Sequence, residues 1–182
     1  MKHIPNFLTI LRIALIPALY ATLYIDAAWG DWTAATIFLF AAATDFWDGW
    51  IARRFELQSS FGRMLDPIAD KLIVATCLLL LVHQNIITDI HLVAAIVILC
   101  REILVSGLRE YLGELRVAMP VSSLAKYKTA IQFFALMCLL TDKAGEAAYA
   151  YTPQIGLALL WIAAGLTMIT GYDYLRKGLQ HT

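Results

Sequence analysis

The feature that most constrains this chain is a series of six apolar stretches, each near the length a helix needs to cross a bilayer, joined by short connections. They cover residues 5–25, 33–53, 66–86, 90–112, 124–140 and 152–175. About 20 residues, rising about 1.5 Å each, span the roughly 30 Å of hydrocarbon in a membrane. In lipid an isolated segment satisfies its backbone only as a helix. The expected fold is therefore all-α, a polytopic membrane protein built as a bundle of six transmembrane helices. Composition agrees: 60% of residues are hydrophobic, 15% are charged and the mean hydropathy is +0.69, outside the range of ordinary soluble domains. The short connections leave no room for a second folding unit, so residues 1–182 are expected to form a single transmembrane domain. The first stretch is long, lacks a small-residue cleavage site and carries Arg12, so it is expected to stay attached rather than be removed as a signal peptide.

The 14 Lys and Arg residues balance the 14 Asp and Glu residues, but their distribution is uneven. With six spans, all of the cations except Lys143 fall on the side of the two termini. The positive-inside tendency then puts both ends, and the connections at 53–63 and 116–128, in the cytoplasm. Trp29 and Trp32 suit the opposite interface, whereas Trp47 and Trp50 lie near the cytoplasmic one. Cys77, Cys100 and Cys138 lie inside apolar segments without paired spacing, and read as small buried side chains rather than as a disulfide framework or a zinc site.

Ionisable residues at helix depth cost at least a few kcal/mol unless they have partners or water, and here they cluster. The second stretch carries Asp45, Asp48 and Arg53, the third opens with Asp66, Asp70 and Lys71, and the fourth holds Arg101 and Glu102. Counting about 1.5 Å per residue, Asp45 lies roughly 12 Å from the cytoplasmic end of its helix and Arg12 about 10 Å in from the same surface. Arg101 comes to a similar depth. Three helices thus bring charge to one level, as a water-accessible cavity requires. Asp45, Asp48 and Gly49 share a helical face, and so do Asp66 and Asp70. Four facing carboxylates repel one another unless protons or hard cations intervene, and oxygen-only ligands favour magnesium, manganese or calcium. Two such ions about 4 Å apart would suit displacement at phosphorus. A divalent-cation pathway is the competing reading, although the carboxylates gather at one end of their helices and none continues through the outer half.

The residues Asp45-x2-Asp48-Gly49-x2-Ala52-Arg53-x8-Gly62-x3-Asp66-x3-Asp70 resemble the full signature of the CDP-alcohol phosphotransferase family, with no position missing. The likeness extends outward through Ile4-Pro5-Asn6-x2-Thr9-x2-Arg12, the stretch from Arg101 to Arg109, Lys126-x-Lys128-Thr129 and Gly171-Tyr172-x-Tyr174, so it covers nearly the whole chain. Ala125 stands where many relatives carry glycine. The resemblance implies six transmembrane helices, a homodimer in the bacterial inner (cytoplasmic) membrane, and an active site facing the cytoplasm. It also implies transfer of a phosphatidyl group from CDP-diacylglycerol to glycerol 3-phosphate with release of CMP, in phospholipid synthesis; phosphatidylglycerol as acceptor, as in a CMP-forming cardiolipin synthase, is the nearest alternative. The same resemblance implies that Asp45, Asp48, Asp66 and Asp70 hold two Mg2+ or Mn2+ ions, with Asp70 also the general base on the acceptor hydroxyl. Asn6, Thr9, Arg12, Gly49, Ala52 and Arg53 fall where the family binds the CDP-lipid. The acceptor phosphate needs cations of its own, for which Arg101, Arg109, Lys126 and Lys128 are expected; membrane lipids, and no nucleic acid, complete the expected partners.

Overall fold

Long runs of Leu, Ile, Ala and Val without strand-like alternation close their backbone hydrogen bonds most simply within one helix. The computed structural model describes residues 4–25, 27–55, 60–114 and 123–178, and among them six α-helices follow one another without a strand. These are α1 (Ile4–Ala21), α2 (Ala27–Phe55), α3 (Ser60–His83), α4 (His91–Glu114), α5 (Ser123–Ala148) and α6 (Thr152–Gly178). The helices fall on the six apolar stretches, with three main differences, the first being that α2 begins at Ala27 rather than at 33. Helix α3 begins at Ser60 and runs through Pro67, although a proline lacks an N–H and more often marks the first turn. Helix α5 continues beyond 140 through a break at Asp142, where φ is 37° and ψ is −122°.

Among the described residues, three segments are long and apolar enough to cross a membrane by composition: Asn6–Tyr24, His91–Gly113 and Thr152–Arg176. The other helices are as long, but α2 and α3 carry the aspartates of the signature and α5 carries Lys126, Lys128, Asp142 and Lys143, all of which lower their hydropathy. Large apolar side chains such as Leu79, Ile103, Phe134, Ile162 and Met168 stand exposed, as lipid-facing surfaces require. Cys100 is exposed on α4 rather than buried, while Cys77 is buried and Cys138 half-buried; a thiol is small and apolar enough to face lipid as readily as a core.

The chain forms two compact units. One comprises Met1–Leu80 with Leu140–Ala150. In it α1 packs along α2, and the corner between them, a 3-10 turn at Thr22–Tyr24, is tight enough that a Cβ on Gly30 would stand 2.9 Å from the Thr22 carbonyl oxygen. Small buried residues, Ala34, Ala35, Ala41 and Ala69, alternate with Leu19, Phe38 and Ile73; without a hydrophobic force between helices in lipid, close backbone approach at such residues supplies the packing.

The second unit comprises Leu81–Leu139 with Tyr151–Thr182. Here α4 packs against α6, and Ile98, Val105 and Leu112 of the one and Leu160 and Ala163 of the other are buried. Its first residues close the C-terminal end of α3. Asn85, at φ 59°, reverses the chain, and the amides of Ile86 and Asn85 donate to the carbonyls of Leu81 at 2.9 Å and Val82 at 3.1 Å. That pair of bonds is a Schellman closure, in which Asn takes the left-handed position glycine usually fills.

Candidate active site

In the first unit, α1, α2 and α3 each contribute to a group of charged and hydroxyl side chains. Arg12, 1% exposed on α1, places its NH1 2.8 Å from Asp45 Oδ1 on α2. One turn earlier on α1, the buried Thr9 donates its hydroxyl to Asp66 Oδ1 on α3 at 2.5 Å. Asn6, one further turn back, is half-buried. The spacing of three residues keeps Asn6, Thr9 and Arg12 close to one face of α1, so one helix holds carboxylates from two others.

Asp70 lies one turn after Asp66, and its Oδ2 accepts from Lys71 Nζ at 2.6 Å. Asp66 and Asp70 both bear on Asp45 as like charges, opposed by Arg12 and Lys71. Asp45 and Asp66 thus each meet a side chain of α1, Asp70 meets its neighbour Lys71, and all three carboxylates are at least partly exposed. Among the described residues no three acidic, His or Cys side chains gather closely enough to hold a metal by themselves. Asp48, Gly49, Ala52 and Arg53 are on α2, but what surrounds them lies outside the described residues. As a donor set, exposed carboxylate oxygens from facing helices fit a hard divalent cation and offer nothing to a soft one.

The second unit holds the other cations. Glu102, buried on α4, accepts from Lys128 Nζ of α5 and lies 3.4 Å from Arg101 NH1. Arg101 NH2 donates to Thr170 Oγ1 of α6 at 2.9 Å, and its Cζ stands 5.9 Å from the centre of the Tyr174 ring. Two cations thus meet one buried carboxylate. Lys126 and Arg109 are exposed and do not join this cluster. Lys126 and Lys128 are two positions apart, which on a helix turns them to nearly opposite sides. Sequence reasoning missed Thr170 as a partner of Arg101 and Lys71 as a partner of Asp70; the first had a faint signal in lying four residues before Tyr174, and the second in its adjacency to Asp70.

Arginine and threonine of α1 thus reach aspartates of two further helices, α2 and α3. The family model for CDP-alcohol phosphatidyltransferase matches residues 2–169, and the chain belongs to that family. It is also similar over nearly its whole length to curated relatives named CDP-diacylglycerol--glycerol-3-phosphate 3-phosphatidyltransferase. The Rickettsia bellii protein is 46% identical over 175 residues, covering 96% of this chain and 94% of the relative. The Pseudomonas fluorescens protein is 43% identical over 98% of this chain and 91% of its own, and an Arabidopsis thaliana protein of the same name, numbered 2, is 40% identical over 96% and 78%.

Proposed function

We propose that this chain transfers the phosphatidyl group of CDP-diacylglycerol to glycerol 3-phosphate, giving phosphatidylglycerophosphate and CMP. The observation that carries the reading is the 46% identity, across 96% of the chain, to a relative named for that transfer. In this reading all six helices cross the bacterial inner membrane as a single domain, both termini and the active site face the cytoplasm, and the protein works as a homodimer. The clustering of Lys and Arg toward one side supports the orientation.

The reaction is a displacement at phosphorus. The acceptor hydroxyl oxygen bonds to the lipid-bearing phosphorus, the bond from that phosphorus to the bridging pyrophosphate oxygen breaks, and CMP leaves with the electron pair. Asp70 takes the hydroxyl proton on its carboxylate, which Lys71 meets at Oδ2. Asp45, Asp48, Asp66 and Asp70 would bind two magnesium or manganese ions, which when bound neutralise the pyrophosphate and the departing CMP. Arg12 fixes Asp45 and Thr9 fixes Asp66, so the carboxylates are set before substrate arrives. Asn6, Gly49, Ala52 and Arg53 complete the donor pocket, small residues leaving room for the nucleotide. Arg101 and Lys128, gathered at Glu102, receive the acceptor phosphate, with Arg109 and Lys126 drawing the anion toward it from exposed positions.

The test is CMP release by purified protein given CDP-diacylglycerol and magnesium, with glycerol 3-phosphate, glycerol, inositol phosphate and phosphatidylglycerol compared as acceptors. Release that depends on glycerol 3-phosphate, and that Asp70→Asn abolishes, is expected. Release with phosphatidylglycerol instead would assign a different acceptor within the same family.

A further inference from the structure

One face of α6 is shaped around a single side chain of α4. Thr170 Oγ1 accepts from Arg101 NH2 at 2.9 Å, and the Tyr174 ring lies 5.9 Å from Arg101 Cζ. Between them the arginine stem crosses Gly171, where a Cβ would come within 3.0 Å of Arg101 Cγ. Thr170 is 1% exposed, and its hydroxyl hydrogen is directed to its own helix, toward the carbonyl oxygens of Leu166 at 2.9 Å and Thr167 at 3.2 Å. A hydroxyl has one proton and two lone pairs. With the proton turned to the helix, the oxygen meets Arg101 only as an acceptor.

On the other side of the guanidinium, Glu102 is engaged by Lys128 and reaches Arg101 NH1 at 3.4 Å, a long contact. Arg101 Nε is buried and has no partner among the described residues. A buried N–H without a partner is uncommon in native proteins and calls for an explanation. A phosphate oxygen is the group that an arginine with one edge anchored and its Nε open would take.

We propose that Thr170 and Gly171 are positioning residues for the acceptor. Thr170 holds the NH2 end of Arg101, Gly171 leaves space for its stem, and together they keep Nε available for an oxygen of the glycerol 3-phosphate phosphate. Neither residue touches substrate. A long side chain ordered beforehand loses less entropy when the anion binds, so the effect belongs in acceptor affinity rather than in the chemical step. The inference rests on the reading of Arg101 as an acceptor-phosphate cation, and the experiment separates the two.

The full-length protein, reconstituted in lipid–detergent micelles, is assayed for CMP release, with KM for each substrate and kcat measured for Thr170→Val, Thr170→Ser, Gly171→Ala and Arg101→Gln. Thr170→Val, which keeps the volume and removes the acceptor, should raise KM for glycerol 3-phosphate about tenfold. KM for CDP-diacylglycerol and kcat should stay within about twofold of the parent, since neither depends on the hydrogen bond removed. Thr170→Ser should restore the parent value, Gly171→Ala should shift the same KM in the same direction, and Thr170→Val should add nothing in the Arg101→Gln background. If Arg101→Gln raises the acceptor KM while Thr170→Val and Gly171→Ala do not, the positioning role is wrong and the acceptor site stands. If Arg101→Gln itself leaves that KM unchanged, the acceptor role of Arg101 fails and the inference fails with it. Equal losses for both substrates, or no rescue by serine, would reduce Thr170 to a packing residue. Should Thr170→Val not fold, Gly171→Ala decides by the same comparison.

Discussion

A guanidinium at bilayer depth is costly enough to need a partner, and Arg12, 1% exposed, has Asp45 at 2.8 Å. The pair also shows why depth could be read from sequence: a helix advances about 1.5 Å per residue whatever surrounds it, so Arg12 and Asp45 were expected at one level and meet there. The bond from Thr9 to Asp66 was not foreseeable in the same way, because it depends on how α1 is rotated toward α3. Its removal is a sharp test. Thr9→Val takes away a donor to a charged acceptor, an interaction worth about 1.5–3 kcal/mol, and should lower kcat/KM for CDP-diacylglycerol by about ten- to a hundredfold. Thr9→Ser should recover most of that loss. A valine variant with unchanged kinetics would show that Asp66 needs no help in holding its place.

At the scale of elements, stability depends on the ends and breaks of helices more than on their apolar middles. Asn85 closes α3 at φ 59°, a conformation that costs most side chains about 1–2 kcal/mol. Asn85→Val should lose about that much stability against chemical denaturation in detergent, whereas Asn85→Gly should be neutral or slightly stabilising. The break in α5 is held differently. Beyond Asp142 the helix restarts, and the amide of Ala144 donates to Asp31 Oδ2 of α2 at 3.2 Å, much as a cap receives an N–H of a first turn. Asp31 lies outside the expected spans. Burial pushes its carboxyl above the ordinary value of 3.8, helped by the nearby Asp142, while the Ala144 amide and Lys143 pull the other way. A carboxyl raised on folding favours the native state when protonated, so its contribution is present below about 3.8 and lost as pH rises through the higher folded value. Asp31→Asn keeps an acceptor for Ala144 but cannot ionise. The variant should match or exceed the parent in thermal stability at neutral pH, and its margin should shrink as pH falls through the acidic range; a margin independent of pH would remove Asp31 from the account. The break itself was not legible in the sequence, because a residue such as Asp142 leaves helical geometry only where a partner from another helix receives the freed amides.

For the whole molecule, the proposed metal binding should register in stability as well as in rate. Chelation should abolish CMP release and magnesium restore it, and magnesium should raise the melting temperature of the parent but much less that of Asp66→Asn, since a ligand stabilises only the state that binds it. Equal shifts in both proteins would remove Asp66 from the binding site. What the sequence determined by itself is the all-helical architecture, the number of helices and which residues carry charge into them, because hydrocarbon length and backbone hydrogen bonding act on each segment separately. The family also lay within its reach, since Asp45 to Asp70 form a local pattern across one helix pair. Only the tertiary structure decided which partners those charges take. It gave Asp66 to Thr9 and Asp70 to Lys71, and it turned Lys128 inward to Glu102 while leaving Lys126 exposed. It also brought Thr170 of α6 against an arginine 69 residues away in sequence, with Gly171 beside it. Such pairings follow from the rotation and packing of one helix against another, which no single segment encodes.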